Sequence, residues 1–116
     1  MHPLVLCRVG GSFQGGTALQ LFLIVPMRKL FRQHAVQKFA LLRGLHSLAE
    51  LGYPVLAGVS RKSMIYKLLG TTPAEALNGT TALHWECLRQ GAVILRAHDT
   101  REAVEVVRMF DQFMQA

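Results

Sequence analysis

Two short apolar runs in this chain end on side chains that can hold an anion. The first, residues 54–60 (Pro-Val-Leu-Ala-Gly-Val-Ser), stops at Ser60, Arg61, Lys62 and Ser63. The second, residues 92–96 (Ala-Val-Ile-Leu-Arg), leads through Arg96 into His98 and Asp99. Guanidinium, ammonium, imidazole and hydroxyl donors gathered in one place suit phosphate or diphosphate oxygens, which accept charge-assisted hydrogen bonds. A lone Arg or Lys after an apolar run is more often solvated rim. The repetition at two runs is what points to a site.

Elements must bring those two ends together. An apolar run without alternation is how a strand covered on both faces of a parallel sheet reads. Ahead of the first run, from about Ala35, the residues Val36, Phe39, Ala40, Leu42, Leu45, Leu48 and Ala49 recur at helical spacing, and Gly52 followed by Pro54 ends that helix. Residues 63–69 suit a short helix. Thr72-Pro73-Ala74-Glu75 has the form of a capping box, Asn78-Gly79 interrupts, and Thr80 or Thr81 can cap a further helix that reaches Gln90 and closes at Gly91. Asp99 can cap a last helix with Glu102 at its third position, its buried face being Ala103, Val104, Val107, Phe110 and Met114. The order helix, strand, helices, strand, helix places the chain in the α/β class, a parallel sheet with helices outside, where ligands bind at the C-terminal ends of strands. Two strands alone do not make such a sheet stable. Upstream, residues 4–9 suit a strand and residues 10–16 a loop, while residues 18–31 read equally as helix or buried strand.

Composition narrows the class. The chain has 116 residues, room for one small domain, and with 51% hydrophobic and 17% charged residues it is built to bury a core. The net charge of +6 is uneven: residues 1–49 hold six basic residues and no acid, and residues 50–116 hold seven of each sign. A pI near 10.0 raises the possibility of a small nucleic-acid binder, against which stand the lack of an aromatic platform and of a basic helix stripe. Cys7 and Cys87 form no CxxC pair and have no His at ligand spacing, so two free thiols in a reducing cytosol are expected, with no zinc site and no disulfide. His2, His34, His46 and His84 stand in no metal or triad spacing and read as surface or packing residues, as does Trp85. The apolar run 18–27 is too short to span a bilayer, and Arg28, Lys29 and Arg32 follow it where a signal peptide would have them precede. A soluble, cytoplasmic protein is expected.

Gly58-Val59-Ser60-Arg61-Lys62-Ser63-Met64-Ile65 closely resembles the segment of dihydropteroate synthases in which a strand ends in Ser-Arg-Lys-Ser and a short helix follows. Three further stretches agree in order and spacing: Ala40-Leu41-Leu42-Arg43, Asn78-Gly79-Thr80-Thr81, and Arg96-Ala97-His98-Asp99, where the family usually has Arg-Val-His-Asp. The resemblance covers residues 36–116 and implies the C-terminal part, about helix 6 to helix 8, of a (β/α)8 TIM barrel, roughly the last third of about 250 residues. Residues 1–35 stay unassigned; free of acids and unlike the family's strands, they are expected to be a non-native, out-of-frame segment joined to a genuine barrel terminus.

The resemblance implies a transferase that joins a pterin diphosphate to p-aminobenzoate. By it, Lys62 is the catalytic residue that hydrogen-bonds the pterin ring, Arg61 and Ser63 line the p-aminobenzoate side, and Arg96 and His98 hold the diphosphate. Mg2+ is implied as the cofactor, with its ligands absent from this chain, as are the aspartate and asparagine that grip the pterin. Partners are the two substrates, with neither nucleic acid nor membrane, and the family is often homodimeric. The chain alone is expected to be too incomplete for turnover; the alternative is a catalytically inert fragment, or a subunit that completes a barrel, with residual anion binding. His84-Trp85-Glu86 departs from the smaller residues usual in the family at that helix.

Overall fold

The computed structural model of the protein describes residues 5–8, 23–24 and 35–116. Its elements are β1 (Val5–Arg8), β2 (Leu23–Ile24), α1 (Ala35–Arg43), α2 (Leu45–Ala49), β3 (Val55–Ala57), α3 (Ser63–Leu69), a 3-10 turn (Pro73–Glu75), α4 (Leu77–Arg89), β4 (Ala92–Ala97) and α5 (Thr100–Gln115). They form an α/β unit on one sheet of order β1-β4-β3-β2. The two strands read from the sequence lie side by side and parallel, with Leu56 opposite Ile94. β2 extends the sheet in parallel, Leu23 opposite Val55, while β1 runs antiparallel to β4, Val5 opposite Ala97. The expected loop at residues 10–16, and most of residues 18–31, lie outside the described residues.

The helix expected from about Ala35 to Gly52 is broken into two. At Gly44 the backbone leaves helical geometry (φ −93°, ψ 8°), and its N–H is shared between the carbonyls of Ala40 and Leu41. A shared N–H marks a tightened turn, and α2 sets off from it with Leu45 buried. Of the anticipated apolar stripe, Leu42 and Leu45 are buried, Phe39, Leu48 and Ala49 pack partly against the core, and Ala40 is exposed. Gly52 (φ +89°) ends the pair, a conformation that favours glycine.

Residues 55–60 are all buried, as a strand covered on both faces requires, although pairing stops at Ala57. Val55, Leu95, Met64, Val59 and Cys87 form the centre of the core between sheet and helices. Asn78-Gly79 does not interrupt: α4 runs unbroken from Leu77 to Arg89. The glycine is there because α3 crosses close by, and a Cβ at position 79 would overlap Ile65 Cγ2. Thr80 therefore lies inside the helix, its hydroxyl donating to the Ala76 carbonyl at 2.7 Å, and caps nothing. The capping box at Thr72 is likewise not made. Thr72 has no side-chain cap bond, and the segment closes as a single 3-10 turn.

On α5 the buried face is Ala103, Val106, Val107 and Phe110, at helical offsets of 3, 4 and 7. Val104 and Met114, expected inside, are 40% and 63% exposed: Val104 stands about a quarter-turn off that stripe, and Met114 is in line with it but lies in the last turn of the helix. Trp85 on α4 meets Phe110 and Phe113 edge-on, with ring centroids at 5.3 and 5.5 Å, so this departure from the family's smaller residues is absorbed as aromatic packing between α4 and α5. His84 is buried beside Trp85, and His46 is exposed. No helix among the described residues is long and apolar enough to cross a membrane.

Candidate functional site

Because β3 and β4 are parallel neighbours, their C-terminal ends lie together, and the residues after each are tied to those after the other. Ser60 is the knot. Its buried hydroxyl oxygen accepts the His98 backbone N–H at 3.1 Å and lies 2.7 Å from His98 Nδ1. One serine thus fixes both the path of the chain after β4 and the orientation of the imidazole.

Arg96 points from β4 toward β3. Its guanidinium lies on the backbone of Gly58, where a Cβ would fall 2.6 Å from Nη2, so position 58 has room for the arginine only as glycine. His98 follows Arg96 by two residues, just past Ala97, the last residue of β4.

Arg61 is a brace. It takes a left-handed backbone conformation (φ +53°), unusual for a residue other than glycine, and its N–H donates to Thr80 Oγ1 at 3.0 Å. Its guanidinium grips Asp99 through Nε and Nη2 at 2.9 and 2.7 Å. Nη1 donates to the carbonyls of Pro73 and Ala74, both at 2.8 Å. The loop after β3, the 3-10 turn and the start of α5 are joined by this one side chain. Hydrogen bonding to Asp99 raises the arginine's pKa, and the same bonds hold the Asp99 carboxyl below the usual carboxylate range. Asp99 therefore does not cap α5 as expected; it stands at the N-cap position without a side-chain cap bond, its oxygens facing Arg61.

Lys62 and Ser63 open onto a cleft of about 270 Å³ lined also by Arg61, Met64, Tyr66, Pro73 and Lys38. Lys38, on α1, was not legible as a site residue: helical periodicity separates apolar from polar positions but does not say which polar residue meets a strand end 25 positions later. Its Nζ donates to Ser63 Oγ at 3.4 Å. Of the residues singled out from sequence, Arg61, Lys62 and Ser63 share this cleft, and Arg96 and His98 gather at Gly58 and Ser60.

Among the described residues no three His, Cys, Asp or Glu side chains are grouped so as to hold a metal ion. Asp99, the acid at the strand ends, is committed to Arg61. The described residues do not fit a Mg2+ site.

The chain matches the family model for pterin binding enzymes over residues 22–98, which takes in β2, three of the four sequence motifs and the fourth as far as His98. Dihydropteroate synthase of Escherichia coli K12 is 36% identical over 103 residues, 89% of this chain and 36% of that protein. The Streptococcus pyogenes serotype M6 enzyme is 40% identical over 86 residues, 72% of this chain and 32% of the relative. The solved 7,8-dihydropteroate synthase of Vibrio fischeri ES114 superposes with a TM-score of 0.76 at 32% identity, over 81% of this chain and 34% of that one. The Clostridium difficile dihydropteroate synthase, solved in the presence of pteroic acid, gives a TM-score of 0.75 at 37% identity, over 82% and 35%. The chain spans about a third of the length of these relatives. With its parallel strand pair and its strand-end side chains from Ser60 to His98 falling within the matched region, the chain belongs to the pterin binding enzyme family as a dihydropteroate synthase segment.

Proposed function

We propose that the chain supplies the substrate-gripping strand ends of a dihydropteroate synthase, which condenses 6-hydroxymethyl-7,8-dihydropterin diphosphate with p-aminobenzoate. In that reaction the arylamine nitrogen attacks the exocyclic methylene carbon, the carbon–oxygen bond to diphosphate breaks, and the amine loses a proton. The barrier is lowered chiefly by stabilising the departing anion. Arg96 and His98 take that anion: the observation carrying this reading is the Ser60 bond network that fixes His98 at the end of the strand whose Arg96 lies on Gly58. With the Ser60 oxygen already accepting the His98 amide, donation of the hydroxyl proton to Nδ1 leaves Nε2 as the N–H that faces an anion. Lys62 acts on the pterin and Ser63 on the p-aminobenzoate, while Arg61 borders their cleft and holds its walls. No step here runs through a metal. The same reading carries a cytoplasmic location, no nucleic-acid partner and a homodimeric assembly.

A second reading, an inert unit with residual anion binding, is favoured by β1. In a barrel of parallel strands the last strand pairs in parallel with the first, and here an antiparallel strand occupies that edge of β4. One experiment separates the two. The full chain is mixed with the N-terminal two thirds of the Escherichia coli enzyme and assayed for dihydropteroate, and the chain alone is titrated with inorganic diphosphate. Turnover in the mixture, lost with Arg96→Met, supports the first reading; diphosphate binding without turnover supports the second.

A further inference from the structure

The cleft beside Ser63 holds a cation that the family motif does not include. Lys38 reaches it from α1, its Nζ 3.4 Å from Ser63 Oγ, and among the described residues no acidic side chain lines the cleft. The positive charge of Arg61 is already met by Asp99, so the Lys38 ammonium is a source of positive potential that the brace does not use. Lysine is a donor only, so Ser63 must accept from it, and the serine's own O–H is turned away from Nζ. An oxygen that accepts from a cation is also a better donor through its remaining proton.

We propose that Lys38 is a positioning residue for the carboxylate of the arylamine substrate: it fixes Ser63 as a hydroxyl donor facing the cleft and adds its own charge to the same anion. The ligand class is an aromatic carboxylate. Tyr66, Pro73 and Met64 give the cleft apolar walls against which a single ring can lie, and about 270 Å³ admits one ring and its substituents. This rests on the aminobenzoate reading above and deepens it.

Two ligands of the same shape test it: p-aminobenzoate and its neutral amide, p-aminobenzamide, titrated against the full chain by heteronuclear NMR, with benzoate as a third probe. The wild type is expected to prefer the carboxylate. Lys38→Met should weaken p-aminobenzoate binding about tenfold and leave p-aminobenzamide within about twofold, and Lys38→Arg should recover most of the preference. Removing Ser63 as well, in Lys38→Met/Ser63→Ala, should weaken binding by less than the two single losses combined, because one residue acts through the other. Amide dispersion in each spectrum reports that the variant is folded. A wild-type preference that survives Lys38→Met overturns the proposal and leaves the aminobenzoate reading standing. Equal binding of benzoate and p-aminobenzoate, both weakened by Lys38→Met, supports the role of Lys38 and removes the aminobenzoate reading. No carboxylate preference in the wild type overturns both.

Discussion

Ser60 and His84 show how differently a buried polar group is treated in this molecule. The Ser60 hydroxyl is satisfied by two partners on His98, so Ser60→Ala takes one hydrogen bond from a backbone N–H and another from the imidazole at once. It should cost about 1–3 kcal/mol in urea unfolding and weaken diphosphate binding, while Ser60→Thr keeps part of both. His84 is the opposite case. It is buried with Nε2 lacking any partner among the described residues, and burial pushes its pKa down from 6.5 to about 4. As pH falls below 6.5 the unfolded chain takes up a proton that the folded chain refuses until about pH 4, so stability should fall by about 1.4 kcal/mol per pH unit across that window. Thermal melts of the wild type and His84→Leu between pH 7.5 and pH 4 check this: the variant should lose most of the slope. The Asp99 carboxyl, held low by Arg61, adds stability that is present above the ordinary carboxylate range and is lost only at still lower pH. At this scale the sequence showed which side chains carry donors, yet not whether a donor faces solvent, ligand or protein. Arg61 had the position of a ligand-binding cation, but the acceptors that occupy it come from residues 73, 74 and 99, partners that only the fold brings near.

Helices and strands were more legible than their ends. Both covered strands were readable because an unbroken apolar run bounded by turn residues has few other uses, and their parallel pairing followed from the helices between them. Two of the departures are local signals overruled by tertiary contacts. Asn78-Gly79 looked like a break, although the glycine is what lets α3 and α4 touch. Gly79→Ala should therefore cost about 1–3 kcal/mol by overpacking against Ile65, read as a lower melting temperature, and Gly79→Ala/Ile65→Leu should recover part of the loss. A melting point unchanged by Gly79→Ala would mean that the helices separate at no cost. At the capping box the Glu75 N–H donates to the Thr72 backbone carbonyl and not to its hydroxyl, and with the carbonyls of Pro73 and Ala74 taken by Arg61 the segment stops after one tight turn. Gly44, read as part of a continuous helix, divides it into α1 and α2.

At the scale of the whole molecule, one arginine joins three segments at the strand ends, adding the 3-10 turn to the two that Ser60 already ties together. Arg61→Met should remove about 1–3 kcal/mol by taking from Asp99 its part-buried donor, with greater protease sensitivity near residues 72–76, which lose their anchor, as the readout; Arg61→Lys, lacking the two-pronged fork, should rescue little. The family match begins at residue 22, upstream of the motifs at residues 36–116, and β2 within it pairs in parallel as a neighbouring strand should. Nothing in the apolar stretch 18–31 could have fixed that, because periodicity there fits helix and strand equally.

The antiparallel seat of β1 on β4 also sets a clock. Any second chain that is to close a barrel against β4 meets an edge whose hydrogen-bonding groups are already occupied, from Val5 opposite Ala97 to Arg8 opposite Ile94. Joining is then an exchange, in which departure of the resident strand comes first and the newcomer only captures what has been vacated. Raising the concentration of the partner should speed assembly up to a plateau equal to the rate of that departure, and a proline at Leu6 should lift the plateau. A rate that climbs without limit would mean that the newcomer never waits.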